Sequence, residues 1–317
     1  DARVMNIFSS AREFGRLREL ISILLKYGFD DIVRWLHLEN RAGLLKRWLR
    51  QDLPPDIRRL PSEARARLAL EAMGPTFVKL GQILATRVDL LPAEWITELE
   101  KLQDQAAAVP FSQLKPQLER SLGAKVSACF REIDETPVGT ASMAQVYRAV
   151  TPIGQEVVLK IRRPGVEDKI QADLRLLRKL AEIAEAQSPE LRCYQPIEIV
   201  QEFEASLLRE LDFTVEARSA DRMRENLRQL DWLVVPRIYW EWTCEDLNVQ
   251  EFIRGIPAKN IEEIDRAGLN RKLIARHGAQ AVWKMMLEDG LFHADPHPGN
   301  FLILPGSRIA MLDFGMV

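Results

Sequence analysis

The feature that most constrains this 317-residue chain is a pair of polar motifs near its C-terminal end, with a short apolar strand before the second. The first motif runs from His293 to Asn300 as His-Ala-Asp-Pro-His-Pro-Gly-Asn. The second is Asp313-Phe-Gly, eighteen residues after Asp295. Apolar residues from Ile309 to Leu312 predict a strand that leads directly into Asp313. Carboxylate and amide oxygens are the hard ligands that Mg²⁺ prefers, so Asn300 and Asp313 are candidate metal ligands.

The spacing of the first motif, H-x-D-x-x-x-x-N, resembles the catalytic loop of protein kinases, and Asp313-Phe-Gly resembles their DFG triplet. In that chemistry a γ-phosphoryl group carries dense negative charge and reacts with Mg²⁺ bound to it. Asp295 would orient or deprotonate the nucleophile, and Asn300 would act beside it in the catalytic loop. The two motifs therefore predict ATP and Mg²⁺ as the cofactors.

A lysine and a small-residue loop upstream match two further kinase elements. Val157-Val-Leu-Lys160 ends an apolar strand, where Lys160 would be a catalytic residue that contacts the α- and β-phosphates. The segment before it fits G-x-G-x-x-G-x-V, except that Ala141 and Ala144 replace the second and third glycines. Because a Cβ disfavours positive φ and close backbone approach, we expect the phosphates to be held differently from those in an ordinary protein kinase. The predicted nucleotide contacts of this loop are Gly139, Thr140, Ala141, Ser142, Met143, Ala144 and Val146.

Two other interpretations compete with this one. A single such motif occurs by chance in many chains, but five elements in the expected order and spacing make a coincidence of surface and core residues a poor explanation. His293, Asp295 and His297 are also a dense set of transition-metal ligands. Mg²⁺–nucleotide chemistry already explains the spacing to Asn300 and Asp313, so it is preferred; a transition metal would stay bound through purification.

Composition excludes several functional classes. A net charge of −2 and a pI near 6.2 argue against nucleic acid as a partner. The three cysteines, which lack metal-ligand spacing, predict neither a disulfide framework nor a zinc site. We find no apolar run long enough to cross a bilayer. The chain starts at Asp1 and stops two residues after the Asp-Phe-Gly triplet, so we expect both ends to be trimmed and the later part of a C-lobe to be missing.

The pattern of apolar residues predicts helices first, then strands, then helices again. An amphipathic helix ends near Gly28; its apolar face would pack on its own domain or face a partner, with the basic stretch 41–59 as a candidate lipid contact. Further on we predict strands over 126–161, helices over 166–187, 196–230 and 268–289, and strands over 234–240, 247–252 and 309–312. The predicted domains are residues 1–60, 61–125, 126–252 and 253–317.

Three short motifs make the resemblance specific. The alanine-containing loop, the loop from His293 to Asn300 and an upstream Lys79-Leu-Gly81-Gln82 together resemble the UbiB family, also called the ADCK or AarF-like atypical kinases. Lys-x-Gly-Gln is that family's hallmark. The resemblance covers residues 60–317, and the first 60 residues match only loosely.

The resemblance assigns further residues. Glu210-Leu-Asp212 matches the family's ExD motif, and Glu216 matches the helix glutamate that pairs with Lys160. Lys79, Gly81 and Gln82 are implied to form a lid that reaches Glu210 and Asp212 and excludes protein substrates. Glu210 and Asp212 are candidates either for this lid contact or for binding a metal. The alternatives without a functional role are a structural ion pair for Lys79, and a solvated acidic helix face for Glu210, Asp212 and Glu216. Glu251 and Ile253 are implied to complete the nucleotide site.

The fold implied is α+β and protein-kinase-like, with an antiparallel N-lobe sheet, a partial C-lobe and an N-terminal helical extension. The implied function is a Mg²⁺-dependent ATPase or a small-molecule or lipid kinase that supports ubiquinone or prenyl-quinone biosynthesis. Implied partners are a nucleotide, membrane lipid or prenyl-quinone pathway proteins, and a second copy in a homodimer. We expect peripheral membrane association, on the cytoplasmic face in a bacterium or in an organelle in a eukaryote. A protein kinase and a non-catalytic lipid-binding scaffold are the rival functions.

Overall fold

The structure of the protein, a computed structural model, describes residues 11–35, 55–102, 107–187, 192–294 and 296–317. Asp295 and the basic residues of 41–54 lie outside these ranges. The α-helices, in chain order, are α1 Ala11–Lys26, α2 Asp30–Trp35, α3 Pro55–Arg58, α4 Ser62–Met73, α5 Pro75–Ala85, α6 Ala93–Leu99, α7 Phe111–Leu122, α8 Val126–Cys129, α9 Val166–Gln187, α10 Pro196–Leu211, α11 Phe213–Asn226, α12 Ile261–Arg266 and α13 Arg271–Trp283. A π-helical segment, Lys284–Asp289, continues α13. The strands are β1 Glu132–Ile133, β2 Gly139–Thr140, β3 Ala144–Val150, β4 Glu156–Arg162, β5 Leu233–Val234, β6 Leu247–Glu251, β7 Ile256–Pro257, β8 Phe301–Leu304 and β9 Arg308–Met311.

The chain divides into two compact units by its internal contacts. The first unit comprises Asp1–Ala106, Ala141–Met143 and Gly165–Leu208, and the second comprises Ala107–Thr140, Ala144–Pro164 and Arg209–Val317. This division does not run along the chain, so the four sequence segments given above stay predictions of domain organisation. None of the helices in the described ranges is both long and apolar enough to cross a bilayer.

The first unit is helical, and α1 is part of its core. Leu17, Leu20 and Ile21 recur at helical spacing along α1 and are buried with Phe77 of α5 and Leu176 of α9. Burial of each such side chain contributes about 1.5–3 kcal/mol. The apolar face of α1 therefore packs within its own unit, as the first of the two interpretations of this helix expected.

The second unit contains two sheets. The larger sheet has five strands in the order β1-β3-β4-β6, with β2 also paired to β3, and all its pairs are antiparallel. One of its faces is covered by α7, whose Phe111, Leu114 and Leu118 share a core with Leu159 and Val249. The smaller sheet has the order β5-β9-β8-β7, in which only β5–β9 is parallel. The antiparallel N-lobe sheet predicted from the sequence is present.

Three sequence predictions of elements were wrong in detail. Residues Val126–Cys129, predicted as strand, form a helical turn after the left-handed cap at Gly123. The helix predicted over 196–230 is two helices, because Asp212 caps the start of the second. The strand predicted over 234–240 is replaced by the two-residue strand Leu233–Val234 of the smaller sheet and a single bridge from Ile238 to Gln250 of the larger sheet. Pro236, between them, has no N–H to donate. Strands β7 and β8 were not predicted.

Candidate functional site

A buried ion pair lies at the centre of the candidate site. Lys160 of β4 donates from Nζ to Oε2 of Glu216 on α11 at 2.7 Å, and Oδ2 of Asp313 lies 4.0 Å from the same nitrogen. The side chain of Glu216 is 8% exposed and that of Lys160 is 23% exposed, whereas that of Asp313 is 47% exposed. The predicted pairing of Lys160 with Glu216 is thus present, and the ammonium also faces a solvent-accessible carboxylate.

Strand alternation and one helix cap explain how the chain brings these groups together. On β4, Val157, Leu159 and Ile161 are buried in the core beneath α7, so Lys160 must point to the opposite face of the sheet. Asp212 caps α11 by accepting from the Thr214 backbone N–H at 2.9 Å. This cap fixes the first turn of α11, which carries Glu216.

The charges of the site perturb one another. Burial disfavours the Lys160 ammonium, but the carboxylates of Glu216, Asp313 and Glu210 outweigh burial and hold the pKa of Lys160 above its ordinary value. Burial raises the pKa of Glu216, and the negative charge of Asp313 adds to this effect against the opposing attraction of Lys160. One cation among several carboxylates leaves an excess of negative charge, which suits a further cation at this place.

The β8–β9 hairpin places Asn300 beside Asp313. Phe301 pairs with Met311 in the register, and the Leu312 N–H donates to the Asn300 carbonyl at 3.0 Å. Asn300 and Asp313 therefore flank the same end of one hairpin, although they are thirteen residues apart in sequence. Both side chains are of the type that binds Mg²⁺, so the described residues fit the metal predicted from the sequence.

The two histidines of the catalytic-loop motif have local roles. His293 is buried and packs between the rings of Phe301 and Phe314, with centroids 5.8 and 6.0 Å away. His297 accepts from the Gly299 N–H at 3.0 Å and so caps the short 3₁₀ turn that ends at Asn300. Within the described ranges, no group of three or more His, Cys, Asp or Glu is arranged to hold a metal ion. Asp295 is outside those ranges, so its role stays a prediction.

The alanine-containing loop is a β-hairpin. Gly139 and Thr140 of β2 pair with Val146 and Gln145 of β3, and Ala141–Met143 form the turn. Of the described residues other than glycine, only Gln195 and Ser307 have positive φ, so Ala141 and Ala144 adopt ordinary backbone conformations. The loop therefore forms without the left-handed conformations that glycines would permit, as the sequence predicted.

Two buried polar residues that hold this region together were missed by sequence reasoning. Gln145 is fully buried; its amide accepts from the Val109 N–H at 2.7 Å and donates to the Tyr147 hydroxyl at 2.7 Å. Arg162, at the end of β4, donates to the Leu211 carbonyl at 2.9 Å and pairs with Asp246. A polar residue in a strand gives the same sequence pattern whether its side chain is buried or exposed, so the sequence contained no signal that could have identified Gln145 or Arg162 as buried.

Glu251 and Ile253, predicted as nucleotide contacts, lie at the end of β6 and just beyond it. The Glu251 side chain is exposed and accepts from the Arg237 N–H at 3.2 Å, while its own N–H donates to the Arg237 carbonyl at 2.8 Å. The Glu251 carboxylate is thus engaged outside the site, and a contact to a base would come from the backbone of this segment.

The predicted lid residues belong to the first unit. Gly81 is buried where a Cβ would overlap Leu102 and come within 2.9 Å of Leu70, so its expected role in close packing is present. Gln82 donates to the Leu102 carbonyl at 3.3 Å, and Lys79 is half-buried. Glu210 and Asp212 belong to the second unit, where Asp212 serves as a helix cap. Contact between the lid and these acidic residues stays a prediction.

Comparisons with known proteins agree with this geometry. The family model described as the ABC1 atypical kinase-like domain matches residues 101–317. The chain is 39% identical over 296 residues to a protein of Aeromonas salmonicida described as "Probable protein kinase UbiB", and 37% identical over 297 residues to one of the same description from Vibrio vulnificus. Each match covers 92% of this chain but 54% of the relative, so the chain spans about half the length of these curated relatives.

A solved structure supports the same fold. The structure of Rv3197 from Mycobacterium tuberculosis, in complex with erythromycin, matches 90% of this chain and 67% of that chain. The TM-score is 0.57 and the sequence identity is 25%. Together with the family match, this similarity confirms the α+β kinase-like fold predicted from the sequence.

Proposed function

Because this chain belongs to the ABC1 family of atypical kinase-like proteins, which includes the UbiB proteins, we propose that it binds Mg²⁺–ATP and cleaves its γ-phosphoryl group. The acceptor is water or a small or lipid-linked molecule. The observation that carries the proposal is the Lys160–Glu216 pair with Asp313 4.0 Å from the ammonium and Asn300 on the same hairpin. A structural ion pair alone would not require the exposed second carboxylate.

Each residue of this group has a distinct role in the proposal. Glu216 holds the Lys160 ammonium in place, and Lys160 binds and orients the α- and β-phosphates. Asn300 and Asp313 supply oxygen ligands to Mg²⁺, which when bound neutralises charge that develops on the transferred phosphoryl group. Asp295 accepts or orients the proton of the nucleophile. The hairpin between Asn300 and Asp313 keeps the two metal ligands at a fixed separation.

A role in ubiquinone or prenyl-quinone biosynthesis at a membrane surface is the wider proposal, and it rests on the similarity to the UbiB proteins. The kinase-like site is compatible with it, because a lipid-linked acceptor needs no extended peptide groove. Because the proposal places the protein at a membrane surface, activity is best measured in the presence of anionic lipid.

The test is Mg²⁺-dependent ATP hydrolysis with and without anionic liposomes, together with ATP binding, for the full chain and for Asp295→Asn. We expect Asp295→Asn to bind ATP with nearly unchanged affinity and to lose activity by about 10²–10⁴-fold, because only proton transfer is affected. Asp231→Asn, an exposed aspartate in a turn, is the matched control and should change neither quantity.

Three outcomes would contradict the proposal. Undiminished hydrolysis by Asp295→Asn would remove the catalytic role of the loop. Transfer of labelled phosphate to an added protein would favour the protein-kinase rival. Failure of the wild-type chain to bind Mg²⁺–ATP would favour the lipid-binding scaffold.

A further inference from the structure

Two amide side chains on β6, those of Asn248 and Gln250, lie on the Lys160 face of the sheet and have buried polar atoms without hydrogen-bond partners among the described residues. Asn248 is 0% exposed, and neither its Oδ1 nor its Nδ2 has a partner in the described parts of the chain. Oε1 of Gln250, two residues further on, is buried and equally without a partner there, although Gln250 as a whole is only half-buried. Buried amides normally form hydrogen bonds, so this pair needs an explanation.

The register of the sheet places both amides at the candidate site. Asn248 is directly opposite Lys160 and Gln250 is directly opposite Val158. Leu247 and Val249 alternate with them and are buried in the core under α7, so the amides are on the other face. On the side of β6 away from β4, Gln250 forms a single antiparallel bridge with Ile238. Ile238 is buried together with Met311 and Phe314 of the Asp-Phe-Gly region.

The chemistry of the two amides sets a direction for any hydrogen bond to a ligand. Residues two apart on a strand share a face and are about 6.6 Å apart, so the Asn248 amide can reach that of Gln250. The two amides form no hydrogen bond to each other in the structure. A side-chain rotation on ligand binding that lets Asn248 Nδ2 donate to Gln250 Oε1 would leave the Gln250 Nε2 group as a donor that points away from Asn248. The more accessible Gln250 would then offer an N–H to an acceptor atom in the site.

The position along β6 suggests which acceptor this is. Lys160, on the neighbouring strand, is the predicted phosphate contact, and β6 leads into Glu251–Ile253, the predicted contact for the base. Gln250 lies immediately before that segment. The Hoogsteen edge of a purine, which adjoins its Watson–Crick edge, carries N7. N7 is a hydrogen-bond acceptor to which asparagine and glutamine side chains donate when they recognise adenine in DNA.

We propose that Gln250 is a specificity-determining residue that donates from Nε2 to N7 of a bound purine nucleotide, and that Asn248 is the residue that positions its amide. This inference rests on the proposed nucleotide function and adds the part of the base that is recognised. It also explains why polar side chains occupy this face of β6, where apolar residues could be buried at a lower cost in free energy.

The experiment compares the affinity of the full chain for ATP and for 7-deaza-ATP, which has C–H in place of N7, by titration calorimetry with Mg²⁺. Loss of one hydrogen bond should weaken 7-deaza-ATP relative to ATP by about three- to tenfold in the wild type. Gln250→Met should bring the ratio to about one by weakening ATP. Gln250→Glu, whose carboxylate only accepts, should favour 7-deaza-ATP, and Asn248→Leu should lower the ratio partway.

The exposed Gln113→Met on α7 is the matched control and should keep the wild-type ratio. Thermal unfolding without nucleotide identifies any variant that fails to fold, in which case the remaining Gln250 variant decides. Wild-type binding of ATP and 7-deaza-ATP with equal affinity, or an unchanged ratio in Gln250→Met, overturns this inference and leaves the proposed function standing. Failure of the wild type to bind either nucleotide overturns both.

Discussion

Two ion pairs of the described residues, one in each unit, contain a buried carboxylate, and the two pairs differ in how their charges are satisfied. In the first unit, Arg16 donates to Asp173 through two nitrogens, at 2.6 and 3.0 Å, and Thr76 donates to the same carboxylate at 2.8 Å. The side chains of Arg16 and Asp173 are 6% and 0% exposed. The Asp173 carboxylate thus accepts three hydrogen bonds and is shielded from water, and we call this pair saturated, or sealed.

In the second unit, Lys160 has one short contact to Glu216 and a longer one to the half-exposed Asp313. A compact ammonium on a flexible stem can move between partners, whereas the planar guanidinium of Arg16 is fixed by its two parallel hydrogen bonds. The comparison teaches that burial of a charge does not by itself indicate function. The number of carboxylates does not distinguish the two sites either, because Arg16 also pairs with the half-exposed Glu19 at 2.7 Å. What distinguishes the candidate site is a cation that can exchange partners and is itself partly accessible to solvent, 23% for Lys160 against 6% for Arg16.

The largest expected effect comes from breaking the saturated pair. Asp173→Asn removes the buried counter-charge of Arg16 and leaves only the half-exposed Glu19, 2.7 Å from the guanidinium, so we expect a loss of about 3 kcal/mol in the free energy of unfolding, the low end of the range for a broken buried pair. Chemical denaturation measures the effect. Glu182→Gln, an exposed acidic residue on the same helix α9, should change stability by less than about 0.5 kcal/mol. A similarly small loss for Asp173→Asn would show that the pair does not hold the helices of the first unit together.

The second prediction uses pH to separate the two pairs. Lys160→Met leaves Glu216 buried beside Asp313, and both burial and that charge already raise the pKa of Glu216. An acid whose pKa is higher in the folded than in the unfolded state stabilises the fold as the pH falls. The stability deficit of Lys160→Met should therefore shrink between about pH 8 and about pH 5.

Asp173→Asn provides the contrast, because the Arg16 guanidinium cannot lose its proton in that range. Its deficit, measured against wild type at each pH, should stay constant. Parallel pH profiles for the two variants would mean that Glu216 does not take up a proton when Lys160 is removed. The distinction between a sealed pair and an adjustable one would then fail.

The sequence identified the adjustable pair but not the sealed one, and the reason is physical. Lys160, Glu216, Asn300 and Asp313 occur in motifs whose spacing reflects a chemical requirement, so their proximity could be predicted. Arg16 and Asp173 are 157 residues apart on amphipathic helices, where arginine and aspartate usually face solvent. Only the tertiary packing of the helices decides that these two are buried.

Local signals within single elements had similar limits. The apolar spacing of α10 and α11 continues across their junction, so periodicity alone predicted one helix over 196–230. The break depends on Asp212 and Thr214, a cap signal that was assigned instead to a functional motif. In β6, Asn248 and Gln250 alternate with Leu247 and Val249, which is the pattern of a strand with one solvated face. Sequence could not show that the polar face is covered.

The third prediction tests close packing in the first unit. Gly81→Ala adds a Cβ that overlaps Leu102 and crowds Leu70, so we expect a net loss of about 1–3 kcal/mol in spite of the better helix propensity of alanine. Gly278→Ala on α13 is the matched control, because nothing lies within 4 Å of its added Cβ. It should stabilise the protein by about 0.5–1 kcal/mol. Equal gains in both variants, measured by chemical denaturation, would show that Gly81 is not needed for packing.

The smallest expected effect concerns Asp212, which is both a helix cap and a member of the predicted lid contact. As a cap, Asp212→Ala should cost about 0.5–2 kcal/mol of stability, and Asp212→Ser should recover most of that loss, because serine also accepts from the Thr214 N–H. Since the cap fixes the turn that carries Glu216, ATP affinity should follow the same order as stability. If Asp212→Ser restores stability but not ATP binding or hydrolysis, the carboxylate itself is required. Asp212 would then belong with Lys160 and Asp313 in the functional group rather than with the sealed structural charges of the first unit.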